Sequence, residues 1–493
     1  MNYISTRGKA EKVTAAEAII KGLATDGGLY IPESIPTVDL DFIKSLENLS
    51  YSERAKKVLA LYLTDFTEDE ISSCVTKAYG NNKFDTDKIV PLKHLSHMTI
   101  AELWHGPTSA FKDMALQLLP QLLSTALTKT AAKNDVLILV ATSGDTGKAA
   151  LEGFKNVERT KILVFYPNQG VSPMQELQMT TQDGDNVGVV AINGNFDDAQ
   201  RGVKEIFADS SIKEQLAKLN IELSSANSIN WGRLVPQIVY YFSIYADLVK
   251  EHKINYGDEI IAVVPTGNFG NILAGYYAKL MGLPIKRLVC ASNSNDVLTE
   301  FLQTGRYNAK REFYKTISPS MDILVSSNLE RLLYHITKDP AKVAEYMAKL
   351  QTDGEYTIED SYLKEIQKLS SAHSATDSET KTMIFKANSC QKYLADPHTA
   401  VAVDAARSLF HEQKITDPTV VLSTASPYKF NKSVLEAINQ STEGDEFTLL
   451  DRLQANYSEP IPKGLASLKT AAIRHQEVIE KTAMGEKTVT FAS

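Results

Sequence analysis

The sequence predicts an α/β protein with two parallel-rich sheet domains flanked by helices and a mainly helical N-terminal domain. From residue 135 onward, continuous apolar runs bounded by Gly/Pro turns alternate with amphipathic helical patterns. This alternation is typical of parallel sheets buried on both faces. Before about residue 88 the pattern is charged and helical, without an obvious apolar strand run. A length of 493 residues is enough for two or three domains.

The sequence also predicts individual helices and strands. Thr14 and Glu17 match a capping box that opens a helix running to Gly22, and residues 52–63 and 68–78 have helical patterns. The polar tail, residues 480–493, is expected to fray. The expected strands of the sheets are residues 136–140, 161–166, 187–192, 260–264, 288–291 and 419–422.

Composition excludes several classes of protein. The 60 acidic and 52 basic side chains give a formal charge of −8 without a basic cluster, which argues against nucleic acid as a partner. The three cysteines are widely spaced, and the closest histidines, His94 and His97, have no third ligand nearby, so neither disulfides nor a metal is expected. Residues 234–246 are too short for a membrane span, which needs about 20 apolar residues. With no signal-peptide core at the N-terminus, a cytoplasmic location is expected.

A glycine-containing turn, residues 265–271, joins the strand 260–264 to a helix. Gly267 and Gly270 let the backbone approach a ligand, and the N–H groups of a helix start bind anions. The turn lacks the signatures of a nucleotide P-loop and of a dinucleotide site, so a single small phosphate fits best. An ordinary strand-to-helix turn is the alternative.

Lys112 lies between Phe111 and an apolar helical segment, 114–119. A buried lysine has a lowered pKa, and the neutral amine is the form that makes a Schiff base. A lysine that extends its amine to solvent from a helix start is the alternative. Two other polar turns, 143–147 and 422–425, also follow strands. A reactive lysine, a phosphate turn and polar groups to hold a ring together match the needs of pyridoxal 5′-phosphate.

Five motifs stand in order along the chain: His105-Gly-Pro-Thr-Ser-Ala-Phe-Lys-Asp113, Ala141-Thr-Ser-Gly-Asp-Thr-Gly147, Ser225-Ala-Asn-Ser-Ile-Asn230, Pro265-Thr-Gly-Asn-Phe-Gly270 and Pro427-Tyr-Lys-Phe430. They closely resemble the motifs of threonine synthases, in particular those of the longer bacterial and fungal branch with an extra N-terminal domain. The likeness covers nearly the whole chain.

The resemblance implies a fold type II pyridoxal-phosphate lyase that converts O-phospho-L-homoserine and water to L-threonine and phosphate, the last step of threonine biosynthesis. Lys112 would hold the cofactor as a Schiff base and act as the catalytic acid and base. Thr424 would face the pyridine nitrogen. The cofactor phosphate would be bound by Gly267, Asn268, Phe269, Gly270 and Asn271.

For the substrate, the resemblance and the residue chemistry indicate two groups of contacts. The substrate phosphate is assigned to Asn227, Ser228 and Arg233, with Lys429 as a further candidate; a solvated Arg233 beside a capped helix is the alternative. The substrate carboxylate is assigned to Thr142, Ser143 and Thr146.

Three positions depart from related patterns. Asp145 stands where many relatives of this fold have asparagine near the ring oxygen, and no role is assigned to it. Ser426 replaces a histidine common in the branch, which casts doubt on an acid/base role there. Ser109 replaces a residue that is often apolar.

The resemblance also suggests how the chain is divided. Residues 1–90 are expected to form the N-terminal helical domain. Residues 91–140 and 224–430 would form the large cofactor-binding domain, and residues 141–223 a small mobile α/β domain. Residues 431–493 would form a C-terminal helical segment.

Two alternative functions remain open at this point. One is a serine/threonine dehydratase or a β-replacement enzyme with the same cofactor, whose substrate has no phosphate to bind. The other is a non-catalytic descendant that keeps the scaffold as a binding protein. Either a monomer or a homodimer is expected.

Overall fold

The computed structural model of the chain describes residues 1–80, 82–142, 144–169, 171–411 and 414–493. The strands are Tyr3–Ser5 (β1), Tyr30–Pro32 (β2), Leu92–His94 (β3), Thr99–Glu102 (β4), Asp135–Ala141 (β5), Thr160–Pro167 (β6), Val187–Asn193 (β7), Ile221–Ser224 (β8), Ile260–Pro265 (β9), Ile285–Ser292 (β10), Arg306–Asn308 (β11), Glu355–Thr357 (β12), Ser370–Ser374 (β13), Thr419–Ser423 (β14) and Val478–Glu480 (β15).

The helices alternate with these strands. They are Ala15–Lys21 (α1), Leu40–Lys44 (α2), Tyr51–Tyr62 (α3), Glu68–Tyr79 (α4), Asp113–Leu116 (α5), Leu119–Lys129 (α6), Asp145–Phe154 (α7), Pro173–Thr180 (α8), Phe196–Ala208 (α9), Ser210–Lys218 (α10), Trp231–Lys250 (α11), Gly270–Met281 (α12), Val297–Thr304 (α13), Leu329–Thr337 (α14), Pro340–Asp353 (α15), Asp360–Leu369 (α16), Asp377–Gln391 (α17), Pro397–His411 (α18), Asn431–Ala437 (α19), Glu446–Asn456 (α20), Lys463–Ala466 (α21) and Met484–Ala492 (α22). Among the described residues, none of these helices combines the length and apolar character that a bilayer crossing requires.

The larger sheet has six strands in the order β13-β10-β9-β14-β4-β3. All its neighbours pair in parallel except β3 and β4, which are antiparallel. Because β9 and β14 are parallel neighbours, the turns that follow them, at Thr266 and Thr424, lie at the same edge of the sheet. A bridge between Ala110 and Ala425 brings the Lys112 segment to that edge.

The second sheet has five parallel strands in the order β15-β7-β6-β5-β8. The predicted strands are therefore confirmed. The expected boundary between residues 140 and 141 is wrong, because β5 pairs with β6 and β8 inside this sheet. The second sheet consequently begins at Asp135.

The C-terminal tail is ordered rather than frayed, which corrects the expectation. β15 extends the five-stranded sheet beside β7, and α22 buries Met484 and Ala492 in that domain. Gly188 on β7 lies against the ring of Phe491. Apolar side chains spaced along one face of a short helix were too sparse a signal in this polar sequence to predict the docking.

The N-terminal region contains helices α1 to α4 and one small antiparallel pair, β1 with β2. The predicted capping box of Thr14 and Glu17 is present at the start of α1. Trp231, fully buried at the start of α11, joins this region to the rest of the molecule. Its ring lies 5.3 Å from that of Tyr3 and 5.5 Å from that of Tyr62, measured between centroids. The N-terminal region therefore shares a core with the larger domain.

Gly153 on α7 packs tightly against the backbone of α5, the short helix that follows Lys112. A Cβ atom there would sit 1.9 Å from the carbonyl oxygen of Leu116 on α5. We expect Gly153→Ala to lower the free energy of unfolding by about 1–3 kcal/mol or more, because the backbone must move. Gly485→Ala is the control, since its Cβ would meet the mobile end of Ile212. Equal denaturation midpoints for the two variants would contradict this account.

Candidate active site

Lys112 stands immediately before α5, with its amine facing an open cleft of about 1690 Å³. The Nζ atom donates a hydrogen bond to Ser320 Oγ at 3.2 Å and lies 4.0 Å from Asp145 Oδ2. Burial lowers the pKa of the Lys112 amine to about 8, although the charge of Asp145 opposes this shift. A pKa of about 8 leaves roughly a tenth of the amine unprotonated at pH 7, far more than for an ordinary lysine, and the unprotonated form is the one that a nucleophile or base requires.

Asp145, to which the sequence assigned no role, is the main anionic partner of the lysines. Its Oδ1 atom lies 2.7 Å from Lys429 Nζ and accepts a hydrogen bond from Gln175 Nε2 at 2.9 Å. Burial opposes ionisation, but the charges of Lys429 and Lys112 hold the pKa of this carboxyl well below its usual range. Asp145 is therefore an ionised carboxylate in the wall of the cleft.

Lys429, a predicted candidate for the substrate phosphate, contacts other protein groups in the structure. Its side chain is fully buried, with Nζ donating to the Thr108 carbonyl at 3.0 Å as well as pairing with Asp145. Its contact with a substrate phosphate stays a prediction. The sequence did not predict the ion pair of Lys429 with Asp145, because the two residues are far apart in the chain.

The turn before α12 presents backbone donors without partners. Within the described part of the chain, the N–H groups of residues 267–272 have no protein acceptor. The carbonyls are held from the opposite side: Ser326 Oγ donates to Gly267 O at 2.8 Å, and Asn328 Nδ2 donates to Asn268 O at 2.9 Å. Phe269 adopts a left-handed conformation, with φ of 60°. The turn therefore directs its donors to one side, as a phosphate site does.

Asn271 supplies a side-chain donor to the same turn. Its Oδ1 atom accepts hydrogen bonds from the hydroxyls of Tyr240 and Tyr241, at 2.8 and 2.9 Å. Its Nδ2 atom is buried without a partner. An unpaired buried amide is costly in free energy, about 1–3 kcal/mol, unless a ligand accepts from it. A Cβ atom at Gly270 would make only ordinary van der Waals contacts, so packing within the protein does not explain why a glycine stands there.

Thr424 follows β14 at the same edge of the sheet and is buried. Its backbone N–H donates to Thr399 Oγ1 at 3.3 Å, and its carbonyl accepts from Phe111 N at 2.8 Å. Among the described residues its hydroxyl has no hydrogen-bond partner, so the group is free for a ring nitrogen.

Arg233, near the start of α11, is the least satisfied cation of the site. The buried guanidinium donates to the Ala226 carbonyl at 2.8 Å, while Nε has no partner. No acidic side chain pairs with it among the described residues, and burial lowers its pKa to about 10. Its charge also contributes to lowering the pKa of Lys112, although less than burial does. A buried, unpaired cation indicates an anionic ligand.

The loop 225–230 carries the other predicted phosphate contacts. Ser228 Oγ donates to Asn227 Oδ1 at 3.2 Å and accepts from Asn328 Nδ2 at 3.3 Å. Asn328 also holds the carbonyl of Asn268, so one amide joins the two anion-binding segments. Asn227 is exposed at the cleft, whereas Ser228 is mostly buried.

The predicted carboxylate contacts lie at the start of α7. Thr142 is buried, and its Oγ1 accepts from the N–H groups of Gly144 and Gly147, both at 3.0 Å, so this hydroxyl shapes the turn. Thr146 lines the cleft, and its N–H has no acceptor among the described residues. Ser143 lies outside the described residues.

The residues fit pyridoxal 5′-phosphate. The unpaired donors of the 267–272 turn suit the phosphate, the free Thr424 hydroxyl suits the pyridine ring, and Lys112 supplies a buried amine. No cluster of three or more metal-binding side chains occurs in the described ranges. Ser320 and Gln175 also contact these residues, and no local pattern in the sequence pointed to either.

The donor at Asn271 provides a direct test of the phosphate assignment. Asn271→Asp keeps an acceptor for the tyrosine hydroxyls but replaces the free donor by a carboxylate oxygen. We expect it to weaken pyridoxal 5′-phosphate binding by about tenfold to hundredfold, because a hydrogen bond to a charged group is replaced by repulsion. Binding to the cofactor-free protein is measured by absorbance titration.

Pyridoxal, which lacks the phosphate, is the matched control ligand. Its affinity should change far less than that of pyridoxal 5′-phosphate. An equal loss for both ligands, or no loss for either, would contradict the assignment of Asn271 to the phosphate.

Comparison with known proteins agrees with this geometry. Residues 2–79 match the family described as threonine synthase N terminus, residues 89–426 match pyridoxal-phosphate dependent enzyme, and residues 399–488 match threonine synthase, C-terminal. Threonine synthase of Pseudomonas aeruginosa is 41% identical over 440 residues, which cover 89% of this chain and 90% of that protein.

Human threonine synthase-like 1 is 40% identical over 443 residues, covering 87% of this chain and 59% of that protein. The crystal structure of a pyridoxal-phosphate-bound threonine synthase from Brucella melitensis has a TM-score of 0.89 and 37% identity, covering 100% of this chain and 99% of that one. The chain thus belongs to the threonine synthase family of pyridoxal-phosphate-dependent enzymes.

Proposed function

We propose that the protein is a threonine synthase that converts O-phospho-L-homoserine and water to L-threonine and phosphate. The observation that carries the proposal is that the candidate site holds two separate groups of donors that the protein leaves incompletely paired. One is the 267–272 turn with its free N–H groups, and the other is the buried, unpaired Arg233. Cofactor and substrate each carry a phosphate, so this reaction needs both.

The cofactor contacts follow from the free donors. We assign the cofactor phosphate to the turn and Thr424 to the pyridine nitrogen, as the sequence predicted. A neutral hydroxyl at Thr424 does not require a protonated ring nitrogen. The turn residues in this assignment are Gly267, Asn268, Phe269, Gly270 and Asn271.

Lys112 is assigned the proton transfers at Cα. When bound, pyridoxal phosphate supplies the electron sink for the carbanions that these transfers create. The Lys112 amine takes the proton from Cα and returns one to the same face at the end, which fixes the configuration of the product. A pKa of about 8 suits both the removal of the Cα proton and its return, because efficient acid–base groups titrate near the working pH.

Arg233 is assigned to the substrate phosphate, with Asn227 and Ser228 beside it. When the Cγ–O bond breaks, its electron pair leaves with the phosphate, and the guanidinium stabilises the added charge. The N-terminus of α7, with Thr142 and Thr146, is assigned to the substrate carboxylate. Ser143 stays part of that assignment as a prediction from sequence.

Several broader features belong to the same proposal. The cleft of about 1690 Å³ is wider than an amino acid needs, which supports closure of the five-stranded domain over the substrate. Closure of this domain would exclude water from the cleft until the step in which a water molecule adds at the substrate Cβ. We also propose a cytoplasmic location and a monomer or homodimer, on the cysteine pattern and composition given above.

Arg233 also separates the proposal from the alternatives. A dehydratase or β-replacement enzyme acts on substrates without phosphate and gains nothing from a second buried cation. A non-catalytic binding protein has no need of an amine with a lowered pKa. The close identity to a protein called only threonine synthase-like makes a direct assay necessary.

The test is a paired product assay with O-phospho-L-homoserine and pyridoxal 5′-phosphate. We expect equal amounts of phosphate and L-threonine from the wild type, and neither from Lys112→Ala, because no other group replaces its base. Lys155→Ala is the matched control: this lysine pairs with Asp183 at 2.7 Å on the surface, and its loss should leave activity unchanged.

Phosphate without threonine would indicate elimination without water addition and would favour a dehydratase-like enzyme. Neither product, from a protein that binds the cofactor, would refute the substrate assignment.

A further inference from the structure

The short turn Pro319–Met321 places Ser320 against the reactive lysine. Ser320 Oγ accepts a hydrogen bond from Lys112 Nζ at 3.2 Å and donates to Asp145 Oδ2 at 3.5 Å. The other side of the turn packs on the phosphate-binding segment, since a Cβ at Gly267 would lie 2.7 Å from the Ser320 carbonyl oxygen. The turn Pro319–Met321 therefore contacts the Lys112 amine on one side and the turn at Gly267 on the other.

His398 holds this turn from the protein interior. The Ser320 N–H donates to His398 Nε2 at 3.1 Å. Because an N–H can only donate, Nε2 must be the unprotonated nitrogen, and the ring proton resides on Nδ1. Nδ1 donates to Asp396 Oδ2 at 2.6 Å. His398 and Asp396 are both buried, so this orientation is fixed by two hydrogen bonds without competition from solvent.

The second carboxylate oxygen of Asp396 is linked to Thr424 through Thr399. Asp396 Oδ1 accepts from the N–H and the hydroxyl of Thr399. Thr399 Oγ1 in turn accepts from the N–H of Thr424 at 3.3 Å. One buried carboxylate is thus linked by hydrogen bonds to two residues of the candidate site, to Ser320 through His398 and to Thr424 through Thr399.

We propose that Ser320 holds the free ε-amine of Lys112 in its catalytic orientation, and that His398 and Asp396 are positioning residues for Ser320. The proposal rests on the proposed function, in which Lys112 must be released to act as the base at Cα. A released lysine has four rotatable bonds and loses its covalent anchor. Ser320 Oγ lies within hydrogen-bond distance of the Lys112 amine and is the acceptor available to hold it.

Three variants test the chain of contacts. Ser320→Ala removes the acceptor for the Lys112 amine. His398→Phe removes the acceptor for the Ser320 N–H at similar volume, whereas His398→Gln can keep one through Oε1. The matched control is His373→Phe, because His373 also pairs with a carboxylate, Asp404 at 2.9 Å, but lies half-buried away from the cleft.

The first readout is steady-state kinetics of the holoenzyme. We expect Ser320→Ala and His398→Phe to lower kcat by about tenfold to hundredfold, with KM within about threefold of the wild type. His398→Gln should retain kcat within about threefold, and His373→Phe should be unchanged.

The second readout does not use activity. In the cofactor-free protein, competitive acylation followed by mass spectrometry gives the pH at which Lys112 titrates. In Ser320→Ala and His398→Phe, Lys112 should titrate at a lower pH than in the wild type, because its ammonium form loses a hydrogen-bond acceptor. His398→Gln should titrate close to the wild type.

The outcomes separate this proposal from the proposed function. A wild type that makes neither product refutes the function. An active wild type with an equally active Ser320→Ala refutes the role of Ser320. Equal impairment of His398→Gln and His398→Phe, with unchanged titration of Lys112, would make His398 a packing residue and overturn its positioning role. If His398→Phe does not fold, Ser320→Ala and His398→Gln decide the question.

Discussion

The buried carboxylate of Asp145 is the interaction on which the site depends. Two lysines, Lys429 and Lys112, approach it from different segments, at 2.7 and 4.0 Å. Burying cations is expensive unless an anion compensates them, so without Asp145 both amines would be strongly destabilised in this wall. Lys429 takes the closer contact and is hydrogen-bonded throughout, which leaves Lys112 only partly neutralised. The two lysines therefore differ in their contacts with this carboxylate, and only Lys112 also lines the cleft.

The N-terminal region is tied to the same site through Arg331. This fully buried arginine donates to the carbonyls of Tyr30 and Ile229 and to the side chain of Asn328. Asn328 holds the carbonyl of Asn268 in the phosphate turn. One guanidinium therefore joins the N-terminal region to both anion-binding segments. The N-terminal region thus contacts the segments that form the candidate site through this arginine.

Local patterns in the sequence predicted much of the fold and the position of the main site residues. The glycine turn after β9 and the lysine before α5 are recognisable because their chemistry depends on neighbours in the chain. Ser320 could not be found in this way, because it meets Lys112 across 208 positions. The pairing of Lys429 with Asp145 is likewise tertiary, and so no local pattern in the sequence could predict it. β15 was missed because an edge strand of three residues has too little periodicity to detect.

The central claim is that the carboxylate of Asp145 and burial together set the protonation of Lys112. The most direct test is the titration of Lys112 by competitive acylation in the cofactor-free wild type and in Asp145→Asn. The account predicts a pKa of about 8 in the wild type and a lower value in the variant, because the charge that favours the ammonium form is lost. A wild-type pKa near the ordinary 10.5, or an unchanged value in Asp145→Asn, would contradict it.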